Sequence, residues 1–358
     1  MLLTFILSLI SFVILISFRQ IDCLEYFNLL YEFISFKTLA LLSMFIAVNK
    51  SLELIGAFKL LAFFILNKIK SLRAIISSLV FICFFTSMLI TNDVALICFV
   101  PFSIYLLKEL KVENITMQVV ILQTLAANLG SMLTPFGNPQ NLFIFTHFKL
   151  SIIDFINTIY IYCFASFLLL ILFILKIKNQ NIKIKSLEKN QINNKIFLLN
   201  IIFFIISIAC VLDIFNIYLG FLIVILGSLL ANKNSIFKAD FGIIIIFINL
   251  FIFVKNISFF IEFNNIDIFY YSIFLSWFIS NVPACVFLAN YTNDFKELLI
   301  GVNIGSLGTL IASMASLISY KYYLASYKND GFKYIFHFTW INIVFLVVLL
   351  GIKELSRL

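Results

Sequence analysis

Long apolar segments separated by short polar ones run along nearly the whole chain. An apolar run of roughly 20 residues is long enough to cross the hydrocarbon core of a bilayer as a helix. The pattern therefore predicts a chain of membrane-spanning helices rather than a soluble core. We predict ordinary spans at about residues 2–18, 37–66, 152–175, 196–212, 216–231, 240–257 and 332–352.

Two further apolar stretches, 74–107 and 268–292, carry a short polar tip in their middle, at Asn92 and Asn281. If the chain turns at these tips, each arm has about 12–17 residues, which is too short to span comfortably at about 1.5 Å per residue. We therefore predict two re-entrant hairpins, which enter the membrane and leave it on the same side.

Two other stretches, 116–145 and 297–319, are apolar at both ends and polar in the middle. In the first, the run NLGSMLTPFGNPQN places Asn138 where a helix N-cap belongs and Pro139 at the first helical position. Gly137 permits close approach of the backbone. We predict that both stretches are broken helices. All four prolines of the chain lie in a hairpin or in a broken helix: Pro101, Pro135, Pro139 and Pro283.

The two halves of the chain match each other at these polar positions. ITNDVA at 90–95 matches ISNVPA at 279–284, and NLGSMLT at 128–134 matches NIGSLGT at 303–309, in the same order. The matches predict an internal repeat. We divide the chain into a first transmembrane repeat with an N-terminal span (1–175), a basic cytoplasmic linker (176–195) and a second, inverted transmembrane repeat (196–358).

Composition and charge support an all-α polytopic membrane protein. The 358 residues are 63% hydrophobic and 12% charged, whereas a soluble domain carries about 25% charged residues. Basic residues concentrate in short loops, which lie in the cytoplasm by the positive-inside rule. This orientation predicts a cytoplasmic N-terminus, about nine crossings and two opposed hairpins. Lys353 and Arg357, near the predicted outer C-terminus, run against the rule. The basic loops are 67–73, 176–195, 232–238 and 321–333.

These motifs resemble a known group of transporters. TNDVALICFVPF at 91–102 and NLGSMLTPFGNPQN at 128–141 resemble the anion-permease branch of the ion-transporter superfamily. That branch includes citrate-transporter-like, arsenite permease and NhaD-type proteins and is related to the divalent-anion:sodium symporters. SNVPA at 280–284 and GVNIGSLGTLIASMASLISYK at 301–321 resemble the second-repeat signatures of the same branch.

The resemblance implies inverted repeats, hairpins with Ser-Asn-Thr-type tips, a homodimer and an elevator-like movement. It also implies that sodium ions and substrate are held at the tips and the broken helices. This chain departs from that pattern, because its tips read Thr-Asn-Asp and Ser-Asn-Val and lack the third hydroxyl.

We expect the tips and broken helices to form one site at the membrane midplane. Unwound helices expose backbone groups and create new helix N-termini, whose partial positive charge attracts anions. Asn92 or Thr91 is expected to cap the second arm of the first hairpin, and Asn281 the matching arm. The small residues could instead serve helix packing alone. The predicted substrate or ion site comprises Thr91, Asn92, Asp93, Asn128, Ser131, Thr134, Gly137, Asn138, Asn141, Ser280, Asn281, Asn303, Ser306, Thr309 and Ser313.

The predicted site contains no Arg or Lys, so helix dipoles and amides, with or without a co-bound cation, would hold an anion. Asp93 is its one ionisable group and our candidate for proton or sodium coupling, although it could merely oppose the dipole of its helix. Sodium, if it is the coupling ion, would bind at Asn92, Asp93 and Asn138. No cofactor and no metal cluster are expected, because the six Cys are scattered and only two His occur.

The sequence favours a secondary active transporter of a small carboxylate or oxyanion in a bacterial cytoplasmic membrane, coupled to H⁺ or Na⁺. A sodium/proton antiporter of the same superfamily is the alternative, and a channel is less favoured. No arrangement of catalytic residues indicates an enzyme. The expected partners are the lipid bilayer, the anion and a second copy of the chain. The net charge of +8 does not indicate nucleic acid, because it arises in the short loops.

Overall fold

The structure, a computed structural model, describes residues 36–57, 71–181, 192–258 and 267–357, together with a few isolated positions. The predicted first span and the interior of the basic linker fall outside these ranges. Within them the chain forms helices and one isolated antiparallel bridge between Ser71 and Asn181. The prediction of an all-α fold is confirmed.

The first half contains the first hairpin and the first broken helix in the predicted order. The hairpin consists of α2 and α3, and the broken helix consists of α4 and α5. Its helices are α1 (Phe36–Leu54), α2 (Leu72–Ile90), α3 (Asn92–Glu109), α4 (Thr116–Ser131), α5 (Pro139–His147) and α6 (Ile152–Leu175), with a 3₁₀ turn at Glu113–Ile115.

The second half repeats this order after additional helices. The second hairpin consists of α11 and α12, and the second broken helix consists of α13 and α14. Its helices are α7 (Asn194–Val211), α8 (Ile217–Ala231), α9 (Asn234–Phe237), α10 (Gly242–Ser258), α11 (Ile268–Ile279), α12 (Asn281–Leu288), α13 (Phe295–Ile304), α14 (Met314–Ser326) and α15 (Gly331–Arg357), with a 3₁₀ turn at Lys328–Asp330.

The outer surface of the helices is apolar, as a lipid environment requires. Among the described residues, four helices are long and apolar enough to cross a membrane. Helix α8 buries only Gly220, Val224 and Ser228, at intervals of one turn, and leaves Leu230 87% exposed. Membrane helices pack through small residues in this way, because lipid offers leucine as good an environment as protein does. The chain is therefore a polytopic membrane protein. The number of crossings stays a prediction.

The predicted arm lengths of about 12–17 residues were wrong for both arms of the first hairpin and for the second arm of the second, whereas α11 has 12 residues as predicted. Helices α2 and α3 have 19 and 18 residues, because α2 begins before the apolar run and α3 continues past it to include Lys108. The positive charge of Lys108 in the last turn of α3 interacts favourably with the dipole of that helix. Helix α12 has only 8 residues and ends at Leu288, shortly before the polar residues 290–294. The turn positions themselves are confirmed.

The basic residue at the far end of the chain is not a free charge. Lys353 is 5% exposed, forms an ion pair with Glu297 and lies 5.4 Å from the centroid of the Phe269 ring. The pair joins α15 to α13, while the ring belongs to α11. Because the Lys353 charge is neutralised within the protein, it is a weaker objection to the predicted orientation than a lysine in water would be.

Close backbone packing places each hairpin against its own broken helix. A Cβ added at Gly130 would lie 2.2 Å from the Phe84 carbonyl oxygen, so α4 can approach α2 only with glycine at this position. Gly305, the matching residue of the second repeat, has Ser276 Oγ 2.9 Å from its Cβ position. Both glycines therefore have a packing function, which was one of the two readings of the sequence.

Candidate functional site

The two hairpin tips have the same strained backbone conformation. Thr91 has φ 74° and ψ 147°, and Ser280 has φ 73° and ψ 152°. This region is essentially restricted to glycine, and each non-glycine residue there costs of the order of 1–3 kcal/mol. Such strain persists only where surrounding contacts impose it, and it concentrates at functional sites. The tips are therefore the first structural indication of a site.

Equivalent hydrogen bonds attach each tip to the unwound segment beside it. The Asn92 N–H donates to the Gly137 carbonyl, and the Asn281 N–H donates to the Ala312 carbonyl, both at 3.0 Å. Gly137 and Ala312 correspond when the repeat is extended from Asn128 and Asn303. The three-dimensional structure thus contains the same internal equivalence as the sequence.

Threonine hydroxyls strengthen these attachments at matching positions. Thr134 Oγ1 donates to the Met88 carbonyl at 2.5 Å, and Thr309 Oγ1 donates to the Trp277 carbonyl at 3.2 Å. Each bond joins an unwound segment to the last turn of the first arm of its hairpin. Thr134 and Thr309 therefore fix the tips, which is a structural task within the predicted site.

Buried amides and hydroxyls join the two broken helices to each other. Asn303 Nδ2 donates to Asn141 Oδ1 at 2.7 Å, and Asn128 Nδ2 donates to Ser316 Oγ at 3.2 Å. These two bonds correspond between the repeats. Two further bonds cross between the repeats, from Asn138 Nδ2 to Asn303 Oδ1 (3.3 Å) and from Ser313 Oγ to Asn128 Oδ1 (3.1 Å). We call the side chains that these four bonds join the amide network.

Asn138 forms the predicted helix cap. Its Oδ1 accepts from the Asn141 N–H at 2.9 Å, and Pro139 occupies the first helical position of α5. Ser313, the matching residue, begins α14 without a capping side-chain bond. The prediction that only the first broken helix has an asparagine-capped start is confirmed.

Asn92 and Asn281 are wrong as predicted caps of the hairpin arms, whereas the alternative for the first arm, Thr91, does occupy the N-cap position. The residues at the N-cap positions are Thr91 and Ser280, and neither makes a capping side-chain bond. Asn92 and Asn281 are the first residues inside their helices, because the tip backbone turns one residue earlier than expected. The Asn92 side chain instead donates to Asn128 Oδ1 at 3.0 Å, so the first tip joins the amide network.

The remaining predicted residues support this centre. Ser131 Oγ donates to the Asn128 carbonyl, and Ser306 Oγ donates to the Asn303 carbonyl, again at matching positions. Ser280 Oγ lies 3.5 Å from the Ala312 carbonyl oxygen. The structure thus brings together the predicted residues of both repeats, with the exception of Asp93.

Asp93 lies in the first turn of α3 and is partly exposed. Within the described parts of the chain, its carboxylate has no hydrogen bond or ion pair, and the charged group that acts on it is the carboxylate of Asp240. The Asp93 backbone N–H donates to Asn92 Oδ1 at 2.9 Å, so Asp93 touches the amide network through its main chain while its carboxylate lies beside that network. A negative charge in the first turn is favourable for the α3 dipole.

Two of the sodium ligands suggested by the sequence, Asn92 and Asn138, bind other protein groups through their side chains in this structure. Among the described residues, no three His, Cys, Asp or Glu side chains form a group that could hold a metal ion. Sodium binding at Asn92, Asp93 and Asn138 stays a prediction. Carbonyl groups of the first unwound segment do converge, but an Asn141 amide already binds them. Asn141 Nδ2 lies 3.2–3.3 Å from the carbonyl oxygens of Ser131, Met132 and Thr134.

Sequence reasoning missed two groups of residues near the site. Gln123 Nε2 donates to the Leu79 carbonyl and to Ser103 Oγ, so it joins α4 to both arms of the first hairpin. Asn49 Nδ2 donates to the Ile90 carbonyl at 2.7 Å, directly before the first tip. Polar residues inside predicted spans were the available signal in both cases. Lys50, which is not among the predicted site residues, follows Asn49 directly in the chain.

Comparison with known proteins gives consistent matches. A family model described as citrate transporter matches residues 1–295. An uncharacterized transporter of Methanocaldococcus jannaschii is 34% identical over 272 residues, which cover 74% of this chain and 75% of that protein. The inner membrane protein YbiR of Escherichia coli is 29% identical over 309 residues, which cover 80% of each. The matched residues include the first hairpin and the first broken helix.

Proposed function

Since the chain belongs to the citrate transporter family, as its motifs predicted, we propose that this membrane transporter moves a small carboxylate or oxyanion by secondary active transport. The observation that carries the proposal is the amide network, in which one hairpin tip and both broken helices meet. Buried polar residues in a membrane protein are costly and mark substrate or ion pathways.

The chemistry of this centre suits an anion. Helices α3, α5, α12 and α14 all begin at the tips or at the ends of the unwound segments. The N-terminus of a helix carries partial positive charge and free N–H groups, which favour a carboxylate or an oxyanion. The asparagine side chains can exchange their bonds with each other for bonds to a ligand, because an amide both donates and accepts.

The proposed movement follows from the repeat. We propose that the two repeats are inverted in the membrane, with the N-terminus in the cytoplasm, and that two copies of the chain form a dimer. An elevator-like movement would carry the hairpin tips and the amide network across the membrane together. The equivalent bonds of the two tips support this proposal, since each hairpin is fastened to its own broken helix.

Asp93 is the proposed coupling residue for H⁺ or Na⁺. Its carboxylate lies at the tip of the first hairpin, and the Asp240 carboxylate acts on it. Two negative charges that act on each other favour the binding of a cation or a proton at either carboxylate. The third tip residue, which is an acid here, would then supply what a hydroxyl supplies in the related symporters.

The test is uptake of labelled citrate, succinate or phosphate by the purified chain in proteoliposomes. We expect accumulation under an imposed proton or sodium gradient and its loss when an ionophore collapses that gradient. Empty liposomes are the control. Flux that ignores both gradients for every anion would contradict the proposal, and flux at channel rates would favour a pore instead.

A sodium/proton antiporter is the second candidate, and the Asp93–Asp240 interaction is the observation that favours it. A pH-sensitive dye inside the proteoliposomes would report sodium-driven proton movement in the absence of any anion. Asp93→Asn should abolish that exchange. If the variant retained full exchange, Asp93 would not carry the coupled ion.

A further inference from the structure

A second charged group lies within the membrane, outside the amide network. Lys50 Nζ contacts both carboxylate oxygens of Glu53, at 2.8 and 3.0 Å. Lys37 begins the same helix and pairs with the exposed Asp213. Lys50 follows Lys37 by 13 residues, which corresponds to about 20 Å along a helix, or more than half of a hydrocarbon core of about 30 Å. Ionisable side chains at that depth indicate function.

The contacts of α1 place the pair next to the tip of the first hairpin. Asn49, the residue before Lys50, is 1% exposed and donates to the Ile90 carbonyl next to the tip. Residues four apart share one face of a helix, so Glu53 lies one turn beyond Asn49 on the face that contacts the hairpin. The Lys50 and Glu53 side chains nevertheless keep exposed fractions of 23% and 25%. The pair is therefore beside the tip and accessible.

The groups around the pair are polar. Tyr322 on α14 interacts electrostatically with Lys50, with Glu53 and with Cys98 on α3. Two buried oxygen atoms on this part of α1, Asn49 Oδ1 and Ser51 Oγ, have no hydrogen-bond partner in the described structure. Among the described residues, the elements packed against α1 carry further titratable groups: Asp93 and Cys98 on α3, His147 on α5, Cys210 on α7, and Lys233 and Lys238, which flank α9.

We propose that Lys50 is a positively charged subsite for the transported anion, and that Glu53 must be protonated when the anion replaces it. The inference rests on the proposed transport of an anion. It assigns to α1 the fixed positive charge that the amide network lacks. Lysine is a compact cation with a flexible stem, so it can exchange one carboxylate for another with little rearrangement of the helix.

The charges explain why a proton accompanies the anion. The Lys50–Glu53 pair is neutral as a whole, so one added negative charge would be uncompensated in a region of low dielectric constant. A proton from water that adds to a Glu53 carboxylate oxygen restores neutrality. An oxygen of the anion then takes the place of that carboxylate at Nζ. When the anion leaves, Glu53 releases the proton and binds Lys50 again.

The experiment is labelled citrate uptake by proteoliposomes containing the whole chain, measured as KM at acidic and neutral external pH. Lys50→Gln combined with Glu53→Gln removes both charges together, so that neither is left unpaired within the protein. We expect KM to rise about 10- to 100-fold, the range that corresponds to loss of a hydrogen bond to a charged group. Lys50→Arg should preserve affinity. Lys37→Gln, an exposed charge on the same helix, is the matched control and should leave KM unchanged.

Glu53→Gln alone tests the proton. It should leave Lys50 free for citrate, so that KM becomes lower than that of the wild type and changes less between the two pH values than in the wild type; the change that remains comes from Asp93 and from citrate itself. Gradient-driven uptake with a wild-type KM in the double variant would overturn the inference and leave the proposed function standing. A change of KM with pH equal to that of the wild type in Glu53→Gln would overturn the role of Glu53. Absence of any gradient-dependent anion uptake by the wild type would overturn both proposals.

Discussion

Asn141 is the side chain that holds the first unwound segment together, and we predict that Asn141→Ala destabilises the fold far more than Ser316→Ala. The two residues correspond between the repeats. Ser316 accepts one bond, from Asn128 Nδ2 at 3.2 Å. Asn141 accepts a bond from Asn303 Nδ2 at 2.7 Å and also donates to three backbone carbonyl groups.

The magnitudes follow from what each truncation leaves unpaired. A typical hydrogen bond contributes about 0.5–1.5 kcal/mol net, whereas a buried polar group without a partner costs about 1–3 kcal/mol. Asn141→Ala removes the amide donor from the Ser131, Met132 and Thr134 carbonyl groups, of which Thr134 keeps a second bond, from the Gly137 N–H at 3.3 Å. We expect a loss of about 3–5 kcal/mol in the free energy of unfolding for Asn141→Ala, and of about 1 kcal/mol for Ser316→Ala.

The assay is unfolding of the purified chain in mixed micelles by increasing dodecyl sulfate, followed by helical circular dichroism. Asn141→Asp is the informative second variant, because it keeps the size of the side chain while replacing the donating amide with a negative oxygen that faces carbonyl oxygens. It should be at least as destabilising as the alanine variant. Equal stabilities for Asn141→Ala and Ser316→Ala would refute the reasoning.

Three other changes give distinct expectations in the same unfolding assay. Gly130→Ala places a Cβ 2.2 Å from a backbone oxygen of the neighbouring arm and should cost at least about 1–3 kcal/mol, whereas Gly351→Ala meets nothing within 4 Å and should be neutral. Thr91→Gly should stabilise the fold by about 1 kcal/mol by relieving the strained tip, and a net loss would show that the strain is absent. Lys353→Met removes the ion pair of a largely buried carboxylate and should cost about 3 kcal/mol, whereas Lys37→Met at the surface should cost less than about 1 kcal/mol.

Local rules explain which parts of the site the sequence could predict. The N-cap at Asn138 and the helix start at Pro139 depend only on residues within one helical turn, so the pattern was sufficient. The hairpin turns were also predictable, since a short polar tip in an apolar run has few other solutions in a membrane.

The caps of the hairpin arms were not predictable, because a tertiary contact determines the tip backbone. The Asn92 N–H bonds to the Gly137 carbonyl, far away in the chain, and Thr91 adopts a positive φ next to that bond. A propensity rule assigns positive φ to glycine and asparagine rather than to threonine. The rule therefore left Asn92 and Thr91 as alternatives at the first tip and selected the wrong residue by one position at the second.

The Lys50–Glu53 pair was missed for a different reason. Its charges lie near the C-terminal end of α1, and a sequence pattern cannot separate a residue at a membrane surface from one beside a hairpin tip. Only the bond between Asn49 and the Ile90 carbonyl fixes the depth of the pair. The matching motifs predicted which segments meet, but they contain no information about the ordinary span that packs against them.

The two repeats use the same backbone contacts and different side chains, and this difference has an energetic consequence. The first repeat supplies Asn138 and Asn141 where the second supplies Ser313 and Ser316, and a hydroxyl has one donor while an amide has two. The asparagine side chains hold both the start of α5 and the unwound carbonyl groups. In the second unwound segment, Gly308 adopts a φ of 105°, a conformation that glycine reaches without strain. Opening the network for a substrate therefore costs less at the second unwound segment than at the first.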